Sequence, residues 1–213
     1  MRLLSALLLF PLATLASPKP LLTEETFKAE TRIIGAPADY TFKDGVLSGS
    51  GKHLKSNSFL TTKSQFTNFV LTFEMKFDTL EGNSGVMFRA LIDEEKNRLI
   101  GYQCEHDNKD RSWTAGLYDE SRRGWLFPMK ANPGHGAAFT KVGQEIFRKD
   151  GWNQVTIECR GAEIVTRLNG KERVHFIDVD EKHQTLSGHI GFQVHSGKSC
   201  AVSWRNITIE ELE

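Results

Sequence analysis

Residues 68–78 read NFVLTFEMKFD. Phe69, Leu71, Phe73, Met75 and Phe77 alternate with Thr72, Glu74, Lys76 and Asp78 on the opposite parity. A two-residue period of this kind predicts a β-strand with one face in a core and the other outside it. The same reading extends outward along the chain. Ser84–Ala90 sends Val86, Phe88 and Ala90 inward, with Met87 and Arg89 outward. Arg98–Asp107 and Trp113–Tyr118 follow as strands, and Trp152–Arg160 points Val155, Ile157 and Cys159 inward. Ala162–Leu168 ends in Asn169-Gly170, a hairpin turn signal, and Arg173–Ile177 returns. His189–His195 buries Ile190, Phe192 and Val194. In Ser199–Glu210 the inward parity changes at Arg205-Asn206, which predicts a bulge.

No long stretch carries helical periodicity; Thr23–Thr31 is read as a short helix. The least regular segment is Asp119–Asp150, a long connection of the kind that often carries function. Many short strands joined by glycine turns predict an all-β fold, a two-sheet antiparallel β-sandwich.

Met1–Ser17 reads MRLLSALLLFPLATLAS. A basic residue, a short apolar run and a small-x-small site at Thr14 and Ala16 read as an export signal over residues 1–16. Residues 17–213 are then a single β-sandwich domain, exported to a periplasmic or secreted location. Lys+Arg and Asp+Glu both number 27. With no basic excess, neither nucleic acid nor a membrane surface is expected as a partner. The three cysteines, Cys104, Cys159 and Cys200, lie on the inward side of their strands and read as small buried hydrophobes.

The outward side chains of the inner strands include Glu74, Arg89, Gln103, Glu105, Asp107, Gln193 and His195. Carboxylates, amides, Arg and His on a rigid sheet suit a polyhydroxylated ligand, and Trp113, Tyr118 and Trp125 could supply aromatic surface for stacking. The run Glu105-His106-Asp107 opens the Glu-x-Asp-x-(x)-Glu strip of laminarinase-type sandwich glycosidases. The next same-face position is Lys109 and the bulge-allowed one is Asp110, so the third carboxylate is missing or too short. A retaining hydrolase needs two closely spaced carboxyl groups, so direct glycosidase chemistry is disfavoured. His106 has core parity. His189 and His195 share a face and, with Glu105, could hold a divalent metal.

At these residues the chain resembles the 3-keto-disaccharide hydrolase family, also described as 3-keto-glucoside 1,2-lyase/3-keto-2-hydroxy-glucal hydratase. The matching pieces run in order: FKDGVLSGSG (42–51), FVLTFEMKF (69–77), NSGVMFRA (83–90), GYQCEHD (101–107), AGLY (115–118), GWNQVTIECRG (151–161), LNG (168–170), GHIGFQVHSG (188–197) and VSWRNITIEEL (202–212). Gln103 stands where the family commonly has Glu, and Glu105 where it commonly has Gln.

The resemblance implies a concanavalin A-like jelly roll acting on a small carbohydrate, a 3-keto-glycoside. It implies proton abstraction at C2, β-elimination at C1 and hydration of the resulting glycal. Glu105 is then the base or a metal ligand, Arg89 steadies the enolate, and His195 is the second acid/base. Glu74, Gln103, Asp107, Tyr118, Trp125 and Gln193 are expected to bind substrate. The ketone would come from a separate sugar 3-dehydrogenase, because the chain has no GxGxxG motif for a nicotinamide. The alternative is a non-catalytic carbohydrate-binding β-sandwich module.

Overall fold

The computed structural model describes residues 17–79, 82–129 and 132–213. The expected export signal, residues 1–16, lies outside the described residues. In chain order the elements are β1 (Lys19–Pro20), α1 (Phe27–Glu30), β2 (Thr31–Gly35), β3 (Asp39–Lys43), β4 (Val46–Leu54), β5 (Ser58–Thr62), β6 (Phe69–Phe77), β7 (Ser84–Asp93) and β8 (Arg98–His106). They continue with β9 (Leu117–Glu120), β10 (Gly124–Phe127), α2 (Pro133–Ile146), β11 (Asn153–Arg160), β12 (Glu163–Leu168), β13 (Lys171–Ile177), β14 (His189–Val194) and β15 (Gly197–Glu211). Two antiparallel sheets form a β-sandwich of jelly-roll type. The first runs β13-β12-β11-β6-β15-β4-β3, with β1 also pairing β15; the second runs β10-β9-β8-β7-β14-β5-β2.

Strand β6 lies centrally in the first sheet, between β11 and β15. Its Phe69, Leu71, Phe73, Met75 and Phe77 are buried, and they share one core cluster with Phe88, Tyr102, Cys104 and Phe192 of the second sheet. A buried side chain of this size contributes about 1.5–3 kcal/mol. The inward face of β6 therefore supplies on the order of 10 kcal/mol of transfer free energy, against which chain entropy must be set. The turn at Asn169-Gly170 has φ of 49° and 80°, both left-handed, as the Asn-Gly pair predicts. The parity change in β15 is a bulge: Asn206 has φ 52° and the register with β6 shifts between Arg205 and Thr208.

The stretch 119–150 is more ordered than its sequence pattern indicates. It holds β10, which pairs with β9, and the 14-residue helix α2. Gly134, Gly136 and Gly143 weaken the local helical signal. Asn132 caps the helix, its Oδ1 accepting the His135 N–H at 3.1 Å. Gly143 permits close approach to the turn before β9, since a Cβ there would lie 2.0 Å from the Ser112 carbonyl oxygen. The strand expected at 113–118 starts only at Leu117. Trp113–Gly116 is a turn, with Ala115 at φ 62°.

The second sheet departs from simple alternation at Arg89, whose φ is 46°. The β7–β8 register shifts between Met87 and Leu91. Beyond that slip Ala90 no longer faces the main core; it joins Ile34, Phe59, Met87 and Leu99 in a second buried cluster. The end of the β7–β8 hairpin packs on β2: Asn97 and the Gly35 backbone exchange two hydrogen bonds of 3.3 Å, and Arg32 pairs with Glu94 at 2.7 Å. Gly191 makes room, because a Cβ there would meet Leu99 Cδ1 at 2.5 Å. The outer face of this sheet is therefore partly enclosed rather than open to solvent.

Candidate active site

On this enclosed face a concavity of about 230 Å³ is lined by Gln103, Glu105, Tyr118, Trp125, Gln193 and His195, together with Asn83, Lys109, Arg111 and Glu120. Hollows of about 340, 400 and 410 Å³ lie elsewhere. Their carboxyl groups are exposed, so they lack the buried acid/base chemistry of the smaller concavity.

Glu105 lies in the floor, 5% exposed. On β8 it and Gln103 alternate with Tyr102 and Cys104, which face the core. Asn83 Nδ2 donates to Glu105 Oε1 at 2.6 Å, and Gln103 Nε2 donates to Oε2 at 2.7 Å. Gln193 Nε2 in turn donates to Gln103 Oε1 at 3.2 Å. Gly85, opposite Glu105 on β7, leaves the space that the Gln103 side chain occupies. Burial pushes the Glu105 carboxyl up from 4.5 to about 7, against the pull of its two amide donors. A carboxyl poised there can take and return a proton near neutral pH.

His195 follows β14 and is half-buried. Its Nδ1 lies 2.7 Å from the Ser196 carbonyl oxygen. A carbonyl only accepts, so Nδ1 carries the hydrogen and Nε2 remains available for proton exchange. Glu120 lines the same concavity. Burial pushes its carboxyl up, while Ser121 and the His195 imidazole draw it down.

The cationic and aromatic wall comes from the turn before β9 and from the β9–β10 hairpin. Arg111 donates through Nε to the buried carboxylate of Asp107. Its guanidinium lies 4.6 Å from the Trp113 ring and 5.1 Å from the Trp125 ring. Trp125 also contacts Trp113 and Tyr118, at centroid distances of 4.7 and 5.4 Å. Arg173, buried in β13, fastens this turn to α2 by donating to the carbonyls of Ser112, Thr114 and Phe139 at 3.1, 3.3 and 3.0 Å.

Several expected side chains are elsewhere. Arg89 does not line the concavity: the slip at its left-handed backbone removes it from the face that strict alternation assigned. It donates to the carbonyls of Thr67 at 2.7 Å and Gly161 at 2.6 Å, tying the two sheets together. Glu74 belongs to the first sheet, where it pairs with Arg205 at 2.9 Å and Asn206 at 2.6 Å. Asp107 is fully buried and anchors Arg111 instead of lining the concavity. His189 bonds the Thr62 carbonyl at 2.8 Å and does not line the concavity, because it lies six residues before His195, about 20 Å along the strand. His106 is a core residue: its Nε2 accepts from Trp204 Nε1 at 3.2 Å, and burial lowers its pKa to about 4.

Among the described residues no three His, Cys, Asp or Glu side chains converge as metal ligands would. Each oxygen of Glu105 accepts one amide hydrogen bond, which leaves a second lone pair on each. Cys104, Cys159 and Cys200 are free and buried.

Asn83, Lys109, Arg111 and Glu120 line the site without having been singled out in the sequence. Glu120 had a usable signal, since it shares strand parity with Tyr118. Arg111 had none, because it lies in a turn whose course depends on tertiary contacts.

Solved structures share the fold at low identity. A candidate glycosyl hydrolase from Parabacteroides distasonis is 21% identical, with a TM-score of 0.62, covering 92% of this chain and 100% of its own. A Bacillus subtilis protein of unknown function with a galectin-like fold is 11% identical, with a TM-score of 0.63 and coverage of 92% and 94%. A carbohydrate-binding module from Bacillus subtilis is 11% identical, with a TM-score of 0.52 and coverage of 84% and 98%. No curated protein matches the sequence. Residues 23–210 match the 3-keto-alpha-glucoside-1,2-lyase-like domain, and the chain belongs to that family.

Proposed function

We propose that this domain cleaves 3-keto-glycosides by β-elimination and hydration, with Glu105 as the base at C2. One observation carries the reading: a buried carboxyl, pushed up to about 7 and held by two amides, forms the floor of a concavity that also holds an imidazole, two cations and an aromatic wall. A ketone at C3 makes the C2 proton acidic enough for a carboxylate to remove. The negative charge then develops on the C3 oxygen and needs a cation or donor. Arg111 and Lys109 line the concavity and take the role that the sequence reading gave to Arg89. His195 is the second acid/base. Tyr118 and Trp125 offer apolar surface to the sugar or its aglycone, and Gln103 and Gln193 fix the polar floor.

Family membership supports the substrate class. The ketone would be introduced by a separate dehydrogenase, and the export signal read in residues 1–16 would place the reaction outside the cytoplasm.

The test is turnover of a nitrophenyl 3-keto-glucoside beside its unoxidised parent. Release from the keto form alone supports the elimination chemistry. Binding of unoxidised glycans with no release from either compound would favour the carbohydrate-binding module instead.

A further inference from the structure

The amides on the floor of the concavity form a directed chain. Gln193 Nε2 donates to Gln103 Oε1 at 3.2 Å, and Gln103 Nε2 donates to Glu105 Oε2 at 2.7 Å. The strand order explains the spacing. Glu105 on β8 pairs with Gly85 on β7, and Phe192 on β14 pairs with Val86, so Gln193 comes beside Gly85. Gly85 has no side chain, and the Gln103 amide fills its place and joins the residues on either side. The direction of the chain follows from Glu105. An ionised carboxylate only accepts, so each amide must give an N–H toward it. Gln193 Oε1 is then left over. It is buried and has no partner among the described residues, and Gln193 lines the concavity. Buried acceptors are nearly always paired, and a bound sugar is the donor that the concavity can bring to this one. Protonation of Glu105 reverses the chain. The carboxyl O–H then donates to Gln103 Oε1, Gln103 Nε2 donates to Gln193 Oε1, and Gln193 has N–H groups where its oxygen had been.

Resting on the elimination reading, we propose that Gln193 is a specificity-determining residue. Its Oε1 accepts the O–H of a sugar hydroxyl, and through Gln103 that contact holds the chain in the direction an ionised Glu105 requires. C2 bears the proton to be removed and C3 the ketone, so the hydroxyl is the one at C4 or at C6. The substrate class is a 3-keto-hexoside with a free hydroxyl at that carbon. A substituent there that cannot donate repels Gln193 Oε1 and favours the reversed chain, in which Glu105 is protonated and cannot act as a base.

The experiment measures kcat against pH for a nitrophenyl 3-keto-glucoside and for its 4-deoxy-4-fluoro and 6-deoxy-6-fluoro analogues, in the wild type and in Gln193→Met. Fluorine replaces the hydroxyl at similar size and has no hydrogen to donate. The pH dependence of kcat reports ionisation within the substrate complex. In the wild type one analogue should fall at least about tenfold below the parent near pH 6, with its rising limb displaced upward by about one pH unit. The gap should close toward about pH 9, where Glu105 ionises without help from the ligand. A contact that only held the sugar in place would leave the same gap at every pH. The charged groups that face Glu105 are Asp107 and Arg111 in the turn before β9, with Lys109, Glu120 and His195 around the concavity. They are the same for all three substrates and cannot create the difference. The ratio of the fluorine effect in the wild type to that in Gln193→Met cancels the influence of fluorine on the ketone, and it should be at least about tenfold near pH 6. The wild-type pH dependence decides the question without the variant. A gap that does not change with pH, or parent and analogues within about threefold of one another throughout, would overturn the proposal and leave the elimination reading intact. Failure of the folded wild type to release nitrophenol from the parent would overturn both.

Discussion

Replacing Glu105 with Gln should remove activity and yet stabilise the protein above neutral pH. The wild-type carboxyl is raised from 4.5 to about 7 by burial. The folded state therefore holds the Glu105 proton more tightly than the unfolded state. Its contribution to stability is fully present below about 4.5 and is lost as pH rises toward about 7, where it levels off. At 1.36 kcal/mol per pH unit, ionising Glu105 in place costs about 3 kcal/mol. Gln has nearly the same shape and no charge, and one of its two flanking amides can turn to match it. Glu105→Gln should match the wild type near pH 4 and exceed it by about 3 kcal/mol at pH 8, a rise in Tm of about 6–12 °C for a domain of this size. Thermal melts of both proteins from pH 4 to 9 give the comparison, and nitrophenyl release checks the loss of activity. Wild-type kcat/KM should rise about tenfold per pH unit below about 7 and then level off. Parallel stability curves for the two proteins would refute the argument that burial raises this carboxyl.

Arg111→Ala should lower kcat by about 10²-fold with a smaller change in KM, whereas Arg89→Met should cost about 2–3 kcal/mol of stability by removing the charged hydrogen bonds to the Thr67 and Gly161 carbonyls and leave KM unchanged. Denaturant melts and steady-state kinetics on the two variants separate those roles. Trp125→Ala should raise KM by about 5–10-fold through loss of stacking surface, as substrate-saturation curves would show. Gly85→Ala should lower kcat/KM even though the residue touches no substrate, because its Cβ would lie 2.7 Å from Gln103 side-chain atoms that orient the amide on Glu105; an unchanged value would argue against that amide's role.

The sequence by itself determined the β-sandwich and the strand carrying Gln103 and Glu105. The physical reason is that a side chain's face on a regular strand follows from parity, so NFVLTFEMKFD and GYQCEHD could be read locally. The Asn169-Gly170 turn was legible for a similar reason, since its left-handed φ values suit those residue types. Helix α2 was not, because its glycines oppose helix locally and its stability comes from packing through Phe139 and the capping Asn132. Only the tertiary structure decided which cation faces the site. A slip at Arg89 turned one arginine into a tie between sheets, and the buried carboxylate of Asp107 held Arg111, from a turn with no periodic signature, against Trp113 and Trp125. Bulges and turns end the parity rule, and beyond them a side chain's direction depends on contacts far away in sequence.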